Sequence, residues 1–279
     1  EIIIKIMKNV SIYCLTLDPS HEEIIHKLSL IPVGLGEKKF SKNCFTDKTA
    51  NSINEKNPFY GEYTFHYWLW KNHLHKIQTP WVGFCQYRKF FVKKDVFNTN
   101  LKLEQLQDLL IYEVNENDKS FDCILGEKFS VKNYKISKIL KHHFFEFISR
   151  PGILLNKSKR NIKFHFDLFH GKGNLDKAIN FLDDVNKELF KNYVNSETSF
   201  NPHNMFFCKT NILKNYYDVV FPWLEKCESI FGFNDTKNYG LKRIYGFLAE
   251  RFLSFWFNNN CKVKELPIIG KDLSDYKYF

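Results

Sequence analysis

A chain of 279 residues with 44% hydrophobic and 26% charged side chains can bury a sizeable core, which sets it apart from disordered and low-complexity polymers. Its 41 basic and 31 acidic residues leave a formal charge of +10, which favours anionic partners such as nucleotide diphosphates, nucleic acid or an acidic leaflet. No zinc-finger spacing, RNP-like strand or basic helix accompanies that charge, so nucleic acid is not the expected partner, and seven isolated cysteines without a CxxC read as buried thiols rather than a metal or disulfide framework.

The opening EIIIKIMKNVSIYCLTL is apolar but broken by Lys5 and Lys8. It lacks a signal-peptide cleavage site and reads as a strand rather than a membrane span, with residues 1–6 as an upstream extension and Met7 as the natural start. A first buried strand is predicted over 9–17, ended by Asp18-Pro19-Ser20. In SLIPVGLG, Pro32, Gly34 and Gly36 indicate a loop. Residues 42–58 are polar and turn-rich, and Pro58 opens a helix whose aromatic spacing continues through Lys76. Thr79-Pro80 breaks the chain before WVGFCQYRKFF, a second buried strand running into basic residues. KLEQLQDLLIYEV predicts a helix and SFDCILGEKF a short strand ending at Gly126. Residues 130–170 are basic and aromatic without clean periodicity, and are expected to form irregular structure or short helices in a mobile acceptor-side flap. LDKAINFLDDVNKELFKNYV predicts one helix capped by Asn174, with Asp183-Asp184 on its solvated face. NMFFCKT reads as a strand, NILKNYYDVVFPWLEKCESIF as a helix interrupted near Pro222, LKRIYGFLAERFLSFWFNNN as a final helix, and CKVKELPII as a closing strand.

This alternation, without repeats or a linker, predicts an α/β fold: a single domain over 7–279 with a predominantly parallel central sheet flanked by helices. Ligands sit at the carboxyl ends of strands in such sheets, so the loops after Leu17, Cys85 and Leu125 are where chemistry is expected.

Four stretches combine ionisable and aromatic groups densely. NSINEKNPFYGEYTFHYWLWKN follows Asp47 and carries Asn51, Lys56, Asn57, Glu62, Tyr67, Trp70 and Lys71. The i,i+4 spacing of Glu62, His66 and Trp70 fits a shared helix face, and it fits equally an amphipathic helix with core aromatics and solvated charges. Gln86-Tyr87-Arg88-Lys89 follows the apolar run WVGFC. An Arg at a strand's carboxyl end can fork two hydrogen bonds to a phosphate, or simply be solvated where the strand exits. HGKGNLD holds His170 and Asp176 beside two glycines and a helix start, which suits an anion but also an ordinary glycine loop. In YGFLAERF, Glu250 and Arg251 stand on a strongly apolar helix, where a structural ion pair with Arg251 or Arg243 competes with a functional carboxylate. Walker, GxGxxG, HExxH and GxSxG motifs are missing, and so is the Asp-x-Asp of metal-dependent sugar transferases.

Together these stretches resemble a family of bacterial sugar transferases found among capsule, exopolysaccharide and lipopolysaccharide synthesis enzymes, long catalogued as a domain of unknown function. DKTANSINEKNPFYGEYTFHYWLWKN is similar to its Asp, Asn-Ile-Ser-x-Lys-Asn and Glu-x-Thr-x-x-Tyr-Trp-x-Trp-Lys-Asn pattern. WVGFCQYRKFF is similar to its Gly-Leu-Cys-His-Tyr-Arg-Arg-Tyr-Phe strand, NMFFCK to Asn-Met-Phe-x-x-Lys, and YGFLAERFLSFWF to Gly-Phe-Leu-x-Glu-Arg-Leu. The likeness runs in order from Val10 to Leu266. It departs at Gln86 and Lys89, where His and Arg are usual, and at Gly171-Lys172-Gly173-Asn174, which replaces a second His and an acidic pair in the segment holding Asp176.

The resemblance implies a GT-A-like fold and a glycosyltransferase that moves a hexose-type sugar from a nucleotide donor, UDP-linked by expectation, to a hydroxyl of a surface-polysaccharide acceptor. No cofactor is expected: Arg88 supplies the positive charge that a divalent metal would give the leaving diphosphate. Asp176 or Glu250 is the expected base, with His170 a third catalytic candidate. Thr16, Asp47, Asn51, Lys56, Asn57, Glu62, Tyr67, Lys71, Gln86, Tyr87, Arg88, Asn204 and Arg251 are the expected substrate-binding residues. The expected partners are the nucleotide sugar, a glycan or lipid-linked glycan acceptor, and an anionic membrane on whose cytoplasmic face the enzyme sits peripherally. The alternative is a non-catalytic glycan- or nucleotide-binding subunit of a polysaccharide assembly complex.

Overall fold

The computed structural model describes residues 9–96, 100–132 and 160–276, so most of the expected acceptor-side flap lies outside the described residues. Its strands are β1 (Val10–Thr16), β2 (Ile31–Gly34), β3 (Phe45–Thr46), β4 (Trp81–Gln86), β5 (Lys89–Phe91), β6 (Cys123–Gly126), β7 (Phe129–Ser130), β8 (Ser199–Phe200), β9 (Phe206–Lys209), β10 (Val263–Leu266) and β11 (Ile268–Gly270). A 9-stranded sheet follows the path β10-β6-β9-β4-β1-β2-β3, with β5 and β11 attached off it, and β7 pairs with β8 in a separate ribbon. On the path only β9 runs against its neighbours, β4 and β6. The parallel pairs are β1 with β2, β1 with β4, β2 with β3, and β6 with β10, so the sheet is mostly parallel as expected.

Period-2 alternation sends side chains to two cores. Tyr13, Leu15, Val82, Phe84, Leu125, Phe206 and Cys208 face one side, under the helices Tyr63–Asn72, Thr210–Phe231 and Ile244–Asn260. Ile12, Cys14, Trp81, Cys85, Ile124 and Phe207 face the other, with Ile24 and Ile25 of the helix Glu22–Lys27 and Leu106 of the helix Leu103–Leu109. Coverage of both faces explains why these strands read as near-continuous apolar runs. Fully burying each such side chain contributes about 1.5–3 kcal/mol before entropy is counted.

Several local expectations are corrected. SLIPVGLG contains a strand, β2, despite Pro32. Leu35 N donates to Thr16 O at 2.8 Å, so odd residues point at β1 and Pro32 points away; on that side β3 pairs only from Val33 onward, and the proline's missing N–H disrupts no ladder. The helix expected from Pro58 to Lys76 is two helices, Asn57–Tyr60 and Tyr63–Asn72, then a short 3₁₀ turn. The break falls at Gly61, whose φ of 61° and ψ of −132° suit glycine alone. WVGFCQYRKFF is a hairpin, with Gln86 paired to Lys89 across a Tyr87-Arg88 turn. The helix expected after Asn174 is split into Asn174–Ile179 and Asp184–Ser196, because Asp183 caps the second, accepting from Asn186 N at 3.0 Å. Thr210–Phe231 continues through Pro222, which faces solvent, where the carbonyl it leaves unpaired can meet water. Among the described residues no helix is long and apolar enough to cross a membrane.

Candidate active site at the carboxyl edge of the sheet

β2 lies on one side of β1 and β4 on the other, so the chain reverses its direction of travel across the sheet at β1. The crevice between the carboxyl ends of β1 and β4 is the switch point at which α/β sheets bind ligands. Two adjoining cavities open there. One of about 170 Å³ is lined by Glu62, Gln86, Arg88, Lys89, His203, Asn204, Tyr239, Arg243, Gly246, Phe247 and Glu250. The other, about 70 Å³, is lined by Leu15, Thr16, Leu17, Leu35, Asn57, Gly61, Glu62, Gln86, Tyr87, Arg88 and Arg243. A larger hollow of about 920 Å³ lies at the opposite edge, around Trp81, Thr210 and Lys214. None of the expected site residues lines it, and two of its lysines are tied up, Lys209 with Asp122 and Lys214 with Asp218.

Three segments converge on the crevice. The β4–β5 turn carries Arg88, whose exposed guanidinium makes no hydrogen bond or ion pair among the described residues. The break at Gly61 turns Glu62 inward from the start of its helix, where it meets Gln86, the last residue of β4 on the same sheet face as Val82 and Phe84. Glu62 Oε1 accepts from Gln86 Nε2 and Asn204 Nδ2, both at 3.1 Å, and Oε2 from Arg243 Nη2 at 3.4 Å. The helix Ile244–Asn260 presents Gly246, Phe247 and Glu250 along one stripe, with Arg243 one turn before Phe247.

The loop before β9 closes the larger cavity. His203 and Asn204 both have positive φ, 82° and 52°, which is uncommon outside glycine. That backbone aims His203 N at Glu250 Oε1 (2.6 Å), His203 O at Gln86 Nε2 (2.8 Å), and His203 Nδ1 at Lys89 Nζ (2.8 Å). Burial, with the Lys89 cation second, holds the His203 imidazole down to about 4, so at neutral pH its Nδ1 accepts from the ammonium. Burial, then Arg88, likewise lowers the Lys89 ammonium pKa, opposed by Glu250 and Glu62. Glu250 Oε2 accepts from Arg251 Nη1, and Arg251 Nη2 lies 3.3 Å from His165 Nδ1. Arg251 is therefore a wall behind the cavity, 2% exposed, with its guanidinium carbon 4.0 Å from the centre of the Phe200 ring. Glu62 and Glu250 are thus each matched by an arginine, and Arg88 is left to face the opening. Among the described residues no three His, Cys, Asp or Glu side chains gather as a metal-holding group.

Of the expected site residues, Glu62, Gln86, Arg88, Asn204 and Glu250 line the larger cavity, and Thr16, Asn57 and Tyr87 line the smaller with three of these. Thr16 Oγ1 and His21 Nδ1 are 2.8 Å apart, and Tyr87 stacks on the His21 ring with centroids at 5.1 Å. The others lie elsewhere, each with a structural partner. Asp47 is fully buried, takes a hydrogen bond from Asn54 Nδ2 at 2.7 Å, and has its carboxyl pKa raised by that burial. Asn51 exchanges backbone bonds with the Asn72 amide. Lys56 pairs with Glu228 at 2.8 Å, which Tyr60 also meets at 2.6 Å. Tyr67 packs edge-on against Phe221, and Lys71 caps the Trp70 ring at 3.4 Å. Asp176 is half exposed and pairs with Lys163 at 2.6 Å. His170 is buried, hydrogen-bonded to Gly240 O at 3.1 Å and stacked on Phe247 at 4.0 Å, so it braces a cavity wall without entering it. Burial pushes its imidazole pKa well below the ordinary value.

Sequence reading missed His203, Tyr239 and Phe247, counted Lys89 only as positive charge beside Arg88, and weighed Arg243 only as an ion-pair partner of Glu250, whereas it pairs with Glu62. Arg243, Phe247 and Glu250 stand at i, i+4 and i+7, a legible stripe; the backbone turn of His203 leaves no comparable periodic trace.

The sequence pattern of a family described as Domain of unknown function (DUF4422) matches residues 19–261. Among solved structures, the apo structure of the WbbM bifunctional glycosyltransferase is similar over 94% of this chain and 45% of that one, with a TM-score of 0.67 and 23% identity. The chain therefore spans under half the length of that WbbM chain, and the likeness shows a shared GT-A-like fold. The X-ray structure of the mannosyltransferase Ktr4p from S. cerevisiae aligns over 86% of this chain and 65% of that one, with a TM-score of 0.31 and 9% identity. No match was found among curated proteins.

Proposed function

We propose that this chain, which belongs to the DUF4422 family, is a glycosyltransferase that moves a hexose-type sugar from a UDP-linked donor to a hydroxyl of a growing surface polysaccharide. The observation that carries this reading is Arg88: an exposed guanidinium, unpaired among the described residues, at the rim of two adjoining cavities at the switch point. The fold shared with WbbM agrees with it.

In this reading Arg88 forks onto the donor diphosphate and stabilises the charge that grows on it as the bond from the anomeric carbon to the phosphate oxygen breaks. The acceptor oxygen bonds to that carbon, and its proton passes to Glu250. Each Glu250 oxygen holds one donor, His203 N or Arg251 Nη1, and a carboxylate oxygen has a second lone pair to offer. Asn57, Gln86, Tyr87 and Glu62 shape the pocket. The guanidinium stands in for a divalent cation, so the reaction proceeds without metal. An acceptor linked to lipid diphosphate, met at the cytoplasmic face of an anionic membrane, suits the +10 charge.

The test is UDP release from a panel of UDP-sugars, with and without EDTA. Wild type releases UDP equally in both; Arg88→Ala weakens UDP binding by roughly tenfold or more. Glu250→Gln slows release by about a hundredfold or more with UDP affinity kept. Loss of activity in EDTA would refute the metal-free reading, and UDP binding without release would assign a binding subunit instead.

A further inference from the structure

Four residues line both cavities: Glu62, Gln86, Arg88 and Arg243. Two are guanidinium groups, and they differ in how they are held. Arg88 has no ionic partner among the described residues, whereas Arg243 Nη2 rests 3.4 Å from Glu62 Oε2, longer than the 2.7–2.9 Å usual for charge-assisted pairs. Among the described residues Arg243 makes no other side-chain hydrogen bond or ion pair. Its side chain is 25% exposed, and its guanidinium carbon is 5.6 Å from the ring centre of the exposed Tyr239. A Cβ built at Gly61 would come 1.8 Å from Nη2, so the guanidinium lies directly over that glycine's backbone. Glu62, by contrast, is fixed through its other oxygen, which accepts from Gln86 and Asn204.

We propose that Arg243 is a transferable clamp. An anionic diphosphate at the junction of the cavities draws its guanidinium from Glu62, so that Arg243 and Arg88 grip the ligand together. The exchange leaves Glu62 Oε2 without its cation and ready to accept a hydrogen bond from a sugar or acceptor hydroxyl. Donor binding thereby completes the hydroxyl-binding side of the cleft, and the nucleotide enters before the acceptor. This rests on the reading that the ligand carries a diphosphate; the assignment of Arg243 is new.

The experiment measures UDP affinity by calorimetry for wild type, Arg88→Gln, Arg243→Gln, Glu62→Gln and Glu250→Gln, with thermal midpoints to confirm folding. Arg243→Gln weakens UDP by roughly tenfold, as for a lost charged hydrogen bond. Glu62→Gln tightens it, because a neutral amide competes poorly for the guanidinium. Glu250→Gln, whose arginine lies behind the wall, gives no such gain, which separates competition from general relief of negative charge. Arg243→Gln binding UDP like wild type while Arg88→Gln does not would overturn the clamp and leave the functional reading intact. A loss or no change in Glu62→Gln would likewise overturn it, marking the pair as a fixed support. If wild type binds neither UDP nor pyrophosphate, the functional reading falls and the clamp with it.

Discussion

Removing Arg251 tests how the cavity wall is built. Its side chain is 2% exposed, and its guanidinium serves Glu250 Oε2 on one side and His165 Nδ1 at 3.3 Å on the other while lying over Phe200. Arg251→Met keeps the stem's length and apolar packing but leaves Glu250, 13% exposed, with the His203 amide as its one remaining donor among the described residues. Breaking a buried pair from one side costs about 3–5 kcal/mol, because the abandoned charge remains in a poorly solvated place. At about 2–4 °C per kcal/mol for a chain of this class, the thermal midpoint should fall by roughly 6–20 °C. Replacing both partners is different: Arg251→Met with Glu250→Gln buries no lone charge and should recover at least half of the loss. Thermal and denaturant melts of the two single variants and the double decide the matter. A double variant no more stable than Arg251→Met would refute the argument and place the cost in the Phe200 and His165 contacts.

Two further outcomes follow from the same geometry. Gly61→Ala should lower stability by about 1–3 kcal/mol, because φ of 61° with ψ of −132° is closed to a side chain, and it should weaken UDP binding by displacing Arg243; equal UDP affinity in calorimetry would count against the second part. His66 is 1% exposed, and burial holds it at about 3, so it is neutral when folded but protonated below about 6.5 when unfolded. The unfolded state then binds the extra proton, and stability falls as pH drops from about 6.5 towards 3. This one residue should remove about 2 kcal/mol between pH 7 and pH 5, and His66→Gln should show a correspondingly smaller drop in urea melts over that interval.

The alternation of Val10–Thr16 and Trp81–Gln86 made the central strands legible, because their side chains sort into two cores by parity alone. What escaped the same reasoning were features set by neighbours. Pro32 signals a loop until it is known that β3 does not reach its outward side. Pro222 signals a break until the helix is seen to turn that residue to solvent. Asp183 looked like a solvated helix residue and is instead the cap that starts the helix, since a helical pattern continues smoothly across a cap when residues on both sides share its period.

The site divides along another line. The motif around Asp47 to Lys71 is rich in polar groups, yet it splits at Gly61. Before and after the break, Lys56, Asn51, Tyr67 and Lys71 find partners within the helical layer, through Glu228, Asn72, Phe221 and Trp70. Beside the break, Asn57 and Glu62 reach the crevice. Likeness of motif cannot separate these groups, because a polar residue that locks two helices together recurs as faithfully as one that meets a ligand. Charge accounting does separate them. Lys56 and Asp176 are already paired with Glu228 and Lys163, and Asp47 is fully buried with Asn54 on one oxygen, so bringing any of them to a ligand would first require breaking an existing contact. Arg88 requires no such exchange and Arg243 only a long one, and these are the two cations at the junction of the cavities. An anionic ligand gains most where the protein's own carboxylates have claimed least, and in this cleft that place is the hairpin turn after β4.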